Sequence, residues 1–186
     1  MTALPRIAVI IGSVREGRIG DGVGRWVAGR LAGEPLEPML IDLDGHTFPS
    51  TMTHHPDVEG FAETIGSADG VIVVTPEYNH SFPGPLKTAI DAVGPQWRAK
   101  PVGFVSYGGM AGGLRAVEAL RPVFAELHTV TIRETVSLHN PWGPLADDST
   151  EYPDFAAEKA LHVLTTQLLW WAEALREARA KTPYPA

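Results

Sequence analysis

Short apolar runs alternate with amphipathic stretches along the whole chain. Arg6–Ile11 (RIAVII) is a nearly unbroken hydrophobic run, the pattern of a strand buried on both faces. Residues 19–31 follow with Val23, Trp26, Val27 and Leu31 at helical spacing on one side. Residues 36–43 predict a second strand, leading into an irregular stretch over 44–56. A helix is expected over 58–65, then a third buried strand over 71–75 and a helix from about Pro83 with Leu86, Ala89 and Ile90 on one face. Residues 102–106 predict the fourth strand, with Pro101 tolerated at its first position. Residues 113–127 read as a helix, 130–136 as the fifth strand, and 150–179 hold the last helix.

Strands alternating with helices imply a parallel α/β sheet covered by helices on both faces. Five strands favour the order 2-1-3-4-5 over a six-stranded dinucleotide fold. No internal repeat, low-complexity tract or Gly/Ser-rich linker divides the chain, so one domain is expected over 1–186. In the last helix Leu161, Leu164, Leu168, Trp171 and Leu175 form a stripe at alternating three and four spacing, expected to pack on the sheet. Trp170 lies beside that stripe and is the sharper signal for a dimer helix. The tail from Thr182 to Ala186 is expected to fray.

Composition narrows the function classes. The 44% hydrophobic and 20% charged fractions are those of an ordinary soluble globular protein. A net charge of -7 argues against general nucleic-acid binding, which needs a basic face, although local arginines can still serve one anionic cofactor. The absence of cysteine excludes disulfides, thiol catalysis and thiolate metal sites, and is compatible with the cytoplasm. The apolar run near the N-terminus is too short for a signal-peptide core or a membrane span.

Chemistry concentrates in three loops. After the first strand, Gly12-Ser13-Val14-Arg15-Glu16-Gly17-Arg18-Ile19-Gly20 opens directly into a helix. Backbone N–H groups at a helix start, a hydroxyl and two guanidinium groups make an anion site. A Walker loop is excluded, because Arg18 and Ile19 stand where Lys and Ser or Thr are needed. The dinucleotide pattern fails as well, with Arg25 in place of its last glycine. Taken alone, this loop also reads as a glycine-rich turn with solvated arginines. After the third strand comes Pro76-Glu77-Tyr78-Asn79-His80-Ser81, where open α/β sheets bind ligands; an aromatic ring, an amide and a hydroxyl in a row suit a flat, polar-edged molecule. After the fourth strand, Ser106-Tyr107-Gly108-Gly109-Met110-Ala111-Gly112-Gly113 exposes backbone against which a planar ring can lie.

The GSVREGR, PEYN and SYGGMAGG loops together resemble those of the NAD(P)H-dependent FMN reductases of the flavodoxin-like superfamily, which includes quinone, azo and chromate reductases. The resemblance covers residues 7–127, and its most specific element is PEYN-x-S-x-P-G-x-L-K. It implies a flavodoxin-like three-layer fold and an FMN cofactor. It further implies that Ser13, Arg15 and the backbone through Arg18, Ile19 and Gly20 hold the FMN phosphate. Pro76, Glu77, Tyr78 and Asn79 would line the isoalloxazine, and Ser106, Gly108 and Gly109 would close its other edge. Many members place a serine three residues after the arginine; this chain has Arg18, whose role is open between phosphate ligand and a group facing the nicotinamide cofactor. True flavodoxins have a hydroxyl-rich phosphate loop without arginines, which Arg15 and Arg18 contradict.

The implied activity is hydride transfer from NADPH or NADH to a flavin, quinone or similar small acceptor by a ping-pong mechanism. No side-chain acid or base is required, so no catalytic residue is assigned. Backbone N–H groups near Asn79 and Gly108-Gly109 are candidates to stabilise charge on the reduced ring. A homodimer or dimer of dimers is expected, with the site at the subunit boundary. The competing classes are a non-enzymatic flavin-binding electron carrier or redox-responsive module, and a nucleotide-binding protein that uses the first loop alone. His54-His55 lack helical ligand spacing for a metal, and Asp147-Asp148 read as a solvated turn. Trp97 and Trp142 are candidates for an aromatic wall near the flavin, against core or interface packing, and His139-Asn140-Pro141-Trp142 is placed to reach the flavin mouth.

Overall fold

The computed structural model describes residues 3–143, 145 and 154–185. Five parallel strands, β1 (Arg6–Ile11), β2 (Glu37–Asp42), β3 (Gly70–Pro76), β4 (Pro101–Gly108) and β5 (Val130–His139), form one sheet in the order β2-β1-β3-β4-β5. The helices are α1 (Gly20–Leu31), α2 (Pro56–Ser67), α3 (Gly84–Asp91), α4 (Leu114–Glu126) and α5 (Phe155–Lys181). This is the flavodoxin-like three-layer arrangement expected from the alternating pattern.

Burial on both faces gives the three central strands their unbroken apolar sequence. Every residue of β3 and β4, and all of β1 after Arg6, is buried, because helices cover both faces of a parallel sheet. Alternate residues separate into two cores. Ile7, Val9, Ile72, Val74 and Val105 meet Val23, Trp26 and Val27 of α1 and Leu161, Leu164 and Leu168 of α5. Ala8, Ile10, Val71, Val73 and Phe104 meet Phe61 of α2, Leu86 and Ile90 of α3, and Leu120 and Phe124 of α4.

Several expectations shift. The stripe of α5 continues from Leu168 to Ala172, leaving Trp171 exposed beside Trp170 in an edge-to-face pair with ring centroids 5.1 Å apart. A 3.6-residue period carries the buried face from Leu168 to Ala172, so Trp171 falls on its shoulder. The expected start of this helix at Thr150 lies outside the described residues, as do Asp147 and Asp148. Strands β4 and β5 run past their expected ends: Ser106, Tyr107 and Gly108 still pair with Ser137, Leu138 and His139. Trp97 is a core residue, not an aromatic wall. It is fully buried, packs edge-on against Phe61 and Phe124, and donates its indole N–H to the carbonyls of Ile90 and Val93 at 3.1 Å each.

Candidate active site

Strands β1, β3 and β4 are neighbours, so the loops that leave their carboxyl ends meet at one edge of the sheet. They enclose a cleft of about 160 Å³. Arg15, Gly17, Arg18 and Ile19 line it from the first loop, Pro76, Glu77 and Tyr78 from the second, and Tyr107, Gly108 and Gly109 from the third. Trp142, three residues beyond β5, completes the wall. Larger cavities lie elsewhere, one of about 500 Å³ beside Val14, His46 and Phe48 and one of about 680 Å³ under the C-terminal tail near His128 and Tyr184. Volume does not single out the cleft; the convergence of the three loops does.

In the first loop the two arginines have different surroundings. Arg18 is committed to the protein. Its guanidinium makes paired bonds of 2.7 Å to both carboxylate oxygens of Asp42, a bond of 2.9 Å to the Ser13 carbonyl and a contact of 3.3 Å with Asp44. The Asp42 bonds raise its pKa further above the ordinary guanidinium value. Arg15 is exposed, and its Cζ lies 5.2 Å from the centroid of the Tyr78 ring. Among the described residues no carboxylate pairs with it. No side chain caps α1, so the N–H groups of its first turn lack a side-chain acceptor. Gly17 has φ +68° with open space around it, which lets backbone approach a ligand.

Ser13 is fully buried beneath this loop, outside the cleft lining. Its hydroxyl accepts a bond of 3.1 Å from Tyr107. Gly20 is equally internal: a Cβ there would stand 2.3 Å from the Ser13 Oγ and 2.6 Å from the Tyr107 hydroxyl. Both residues shape the loop from below. The sequence reading leaves Tyr107 out of the site residues. Period-2 counting from Val105 places it on the α1 face of the sheet, and that signal was available. Burial pushes the Tyr107 phenol pKa well above its ordinary value, so it stays a protonated donor.

The second loop is a tight turn. Tyr78 and Ser81 exchange backbone bonds of 2.8 and 3.1 Å, and Asn79 and His80 take φ of +50° and +73°. Asn tolerates that left-handed conformation. Asn79 therefore stands at the exposed tip and does not line the cleft. Glu77 lines the cleft, and its carboxylate ties the loop to α4, accepting from the Arg115 guanidinium at 2.8 Å and the Arg115 backbone N–H at 3.2 Å. A carboxylate suits that helix start.

In the third loop Gly108 and Gly109 line the cleft, whereas Ser106 does not. Ser106 is strand, fully buried, and its hydroxyl donates to the Gly112 carbonyl at 2.9 Å. It braces the turn in which Gly112 and Gly113 have φ of +55° and +84°. The backbone N–H of Asn140 donates to the Gly108 carbonyl at 2.8 Å, and this brings Trp142, about half exposed, to the rim. The paired histidines have local partners: His55 accepts from the Asp57 N–H at the start of α2, and His54 lies 2.6 Å from Glu59.

An unpaired guanidinium, an uncapped helix start and an open glycine fit a phosphate group. The glycine backbone beside Tyr78 and Trp142 fits a flat ring. The donor set therefore matches what FMN presents.

Comparison with known proteins bears on the same residues. The family model described as NADPH-dependent FMN reductase matches residues 5–143. A protein named NAD(P)H-dependent FMN reductase from Schizosaccharomyces pombe is 33% identical over 122 residues, covering 59% of this chain and 60% of that protein. A protein named quinone reductase from Escherichia coli is 32% identical over 146 residues, covering 69% of this chain and 74% of that protein. The solved structure of FerB, a flavoenzyme NAD(P)H:(acceptor) oxidoreductase from Paracoccus denitrificans, superposes with a TM-score of 0.75 at 23% identity, over 92% of this chain and 98% of that one, and shows the shared fold. The chain thus spans less than two thirds of the length of the yeast relative. With a match across most of its length, including all three loops of the cleft, the chain belongs to the NADPH-dependent FMN reductase family.

Proposed function

We propose that this protein is an FMN-dependent oxidoreductase that passes hydride from NADPH or NADH to a small acceptor such as a flavin or quinone. The observation that carries the reading is the meeting of three family-type loops around one cleft, with Arg15 unpaired at its phosphate end. FMN, when bound, supplies the hydride chemistry. The chain binds, orients and shields. Arg15 and the first turn of α1 hold the phosphate, Gly108 and Gly109 offer backbone to the ring, and Tyr78 and Trp142 flank it. Arg18 holds the first loop to the end of β2, and Glu77 holds the second loop to α4, so the ring site rests on fixed supports. One open cleft serves reductant and acceptor in turn, which is the basis of a ping-pong order. Met110 and Trp142 are exposed near the cleft mouth, and a second copy of the chain covering them completes the reading as a homodimer. Among the described residues no helix is long and apolar enough to cross a membrane; a cytoplasmic location belongs to the same proposal.

The test is anaerobic mixing of flavin-loaded protein with NADH or NADPH. Rapid bleaching of the flavin band, restored on adding a quinone or free flavin, is the expected result. A flavin that binds but bleaches with neither nucleotide makes the protein an electron carrier. Failure to bind FMN overturns the reading outright.

A further inference from the structure

The cleft measures about 160 Å³, below the roughly 300–1,000 Å³ of sites that enclose a small organic ligand. A ring that seats on the Tyr78 face has to displace the side chain that covers it. Most walls are tied: Arg18 to Asp42, Glu77 to Arg115, Tyr107 to Ser13, and Gly108 to Asn140. Among the described residues Arg15 has no such tie. It is exposed, sits on a loop, and its contact is the face of Tyr78, 5.2 Å from guanidinium carbon to ring centroid.

The contest for this guanidinium is unequal. An exposed cation–π contact corresponds to a factor of about two to five in occupancy. A charge-assisted bond to phosphate corresponds to about ten- to a hundredfold. Phosphate therefore draws Arg15 off the ring, whereas a ligand without phosphate has to displace it.

We propose that Arg15, besides the phosphate role given above, covers the Tyr78 face and so disfavours flavins that lack a phosphate. The inference rests on the functional reading above and assigns to one residue both an attractive and an excluding role.

Removing the side chain should move two affinities in opposite directions. Dissociation constants for FMN and riboflavin are measured by fluorescence titration of deflavinated wild-type protein and Arg15→Ala, with circular dichroism to check the fold. The expected result is an FMN Kd raised about ten- to a hundredfold and a riboflavin Kd lowered about two- to fivefold. Arg15→Gln, which keeps most of the stem without the charge, should weaken FMN similarly. A riboflavin Kd that is unchanged or higher in Arg15→Ala, or riboflavin binding to neither protein, overturns the covering role. An unchanged FMN Kd overturns the phosphate role. Wild-type protein that binds neither flavin is a separate result, and it defeats the functional reading before any variant is compared.

Discussion

The hydroxyl of Tyr107 donates to the hydroxyl of Ser13 at 3.1 Å, joining the ends of β4 and β1 beneath the cleft floor. Ser13 is fully buried and Tyr107 nearly so, which leaves the two hydroxyls dependent on each other as partners. Tyr107→Phe leaves the Ser13 hydroxyl without that partner and should cost about 1–3 kcal/mol. Ser13→Ala should cost a similar amount, and the double variant should lose much less than the sum. Additive losses in urea unfolding would show that the bond does not exist in solution.

Gly20 packs directly on that pair. Gly20→Ala places a methyl within 2.3 Å of the Ser13 Oγ and 2.6 Å of the Tyr107 hydroxyl. Overpacking of this kind costs roughly 1–3 kcal/mol, despite the helix propensity that alanine adds. Combining it with Tyr107→Phe, which removes one of the two clashing atoms, should recover part of the loss. A thermal melt in which Gly20→Ala is neutral or stabilising contradicts the packing.

Arg18 is a strut for the first loop. Arg18→Lys keeps the charge but cannot reproduce the paired geometry on Asp42 together with the Ser13 carbonyl bond. Because the guanidinium is mostly buried while Asp42 is partly exposed, the loss should be modest, roughly 1–2 kcal/mol. FMN affinity should fall less than in Arg15→Ala. A larger fall for Arg18→Lys would make Arg18 the phosphate ligand.

Two tryptophans make a paired test. Trp97→Ala removes a fully buried ring with two hydrogen bonds and should cost about 3–5 kcal/mol. Trp142→Ala, at a half-exposed position, should change stability by less than about 0.5 kcal/mol. It should nevertheless alter the fluorescence of bound flavin. If the flavin signal follows Trp97 and ignores Trp142, the cleft has been placed wrongly.

Lys100 supplies the pH dependence. It is buried and donates to the carbonyls of Ile65 and Gly66 at the end of α2. Burial, helped by the nearby Arg179 and opposed by Asp69, lowers its pKa from 10.5 to about 8. Between those values the unfolded chain carries a proton that the native protein has released, so stability rises with pH across that window, by at most about 1.4 kcal/mol per pH unit from this group. Below about pH 8 both states are protonated and the slope vanishes. Comparing wild type with Lys100→Met at pH 7, 8.5 and 10 isolates the effect, since other groups cancel. Parallel curves would mean that Lys100 titrates normally.

The chain itself determined the architecture. Runs such as RIAVII and VIVVT are apolar throughout because a parallel strand between two helical layers has no solvent face, and that pattern is visible in the letters. The order of the strands then brought the GSVREGR, PEYN and SYGG loops to one edge, as expected. Side-chain placement within those loops was a different matter. Ser13 and Ser106 look like ligands in one dimension, yet both hydroxyls are taken up beneath the surface, by Tyr107 and by the Gly112 carbonyl. Arg15 and Arg18 are three residues apart and chemically alike; Asp42, brought alongside by β2, claims one and leaves the other. Trp97 and Trp142 were equivalent candidates until the packing of α2 and α4 enclosed the first and the extension of β5 carried the second to the rim. Hydrophobic periodicity is a local property and survives in sequence. The partner of a polar side chain is set by residues distant in the chain, and only the folded arrangement decides it.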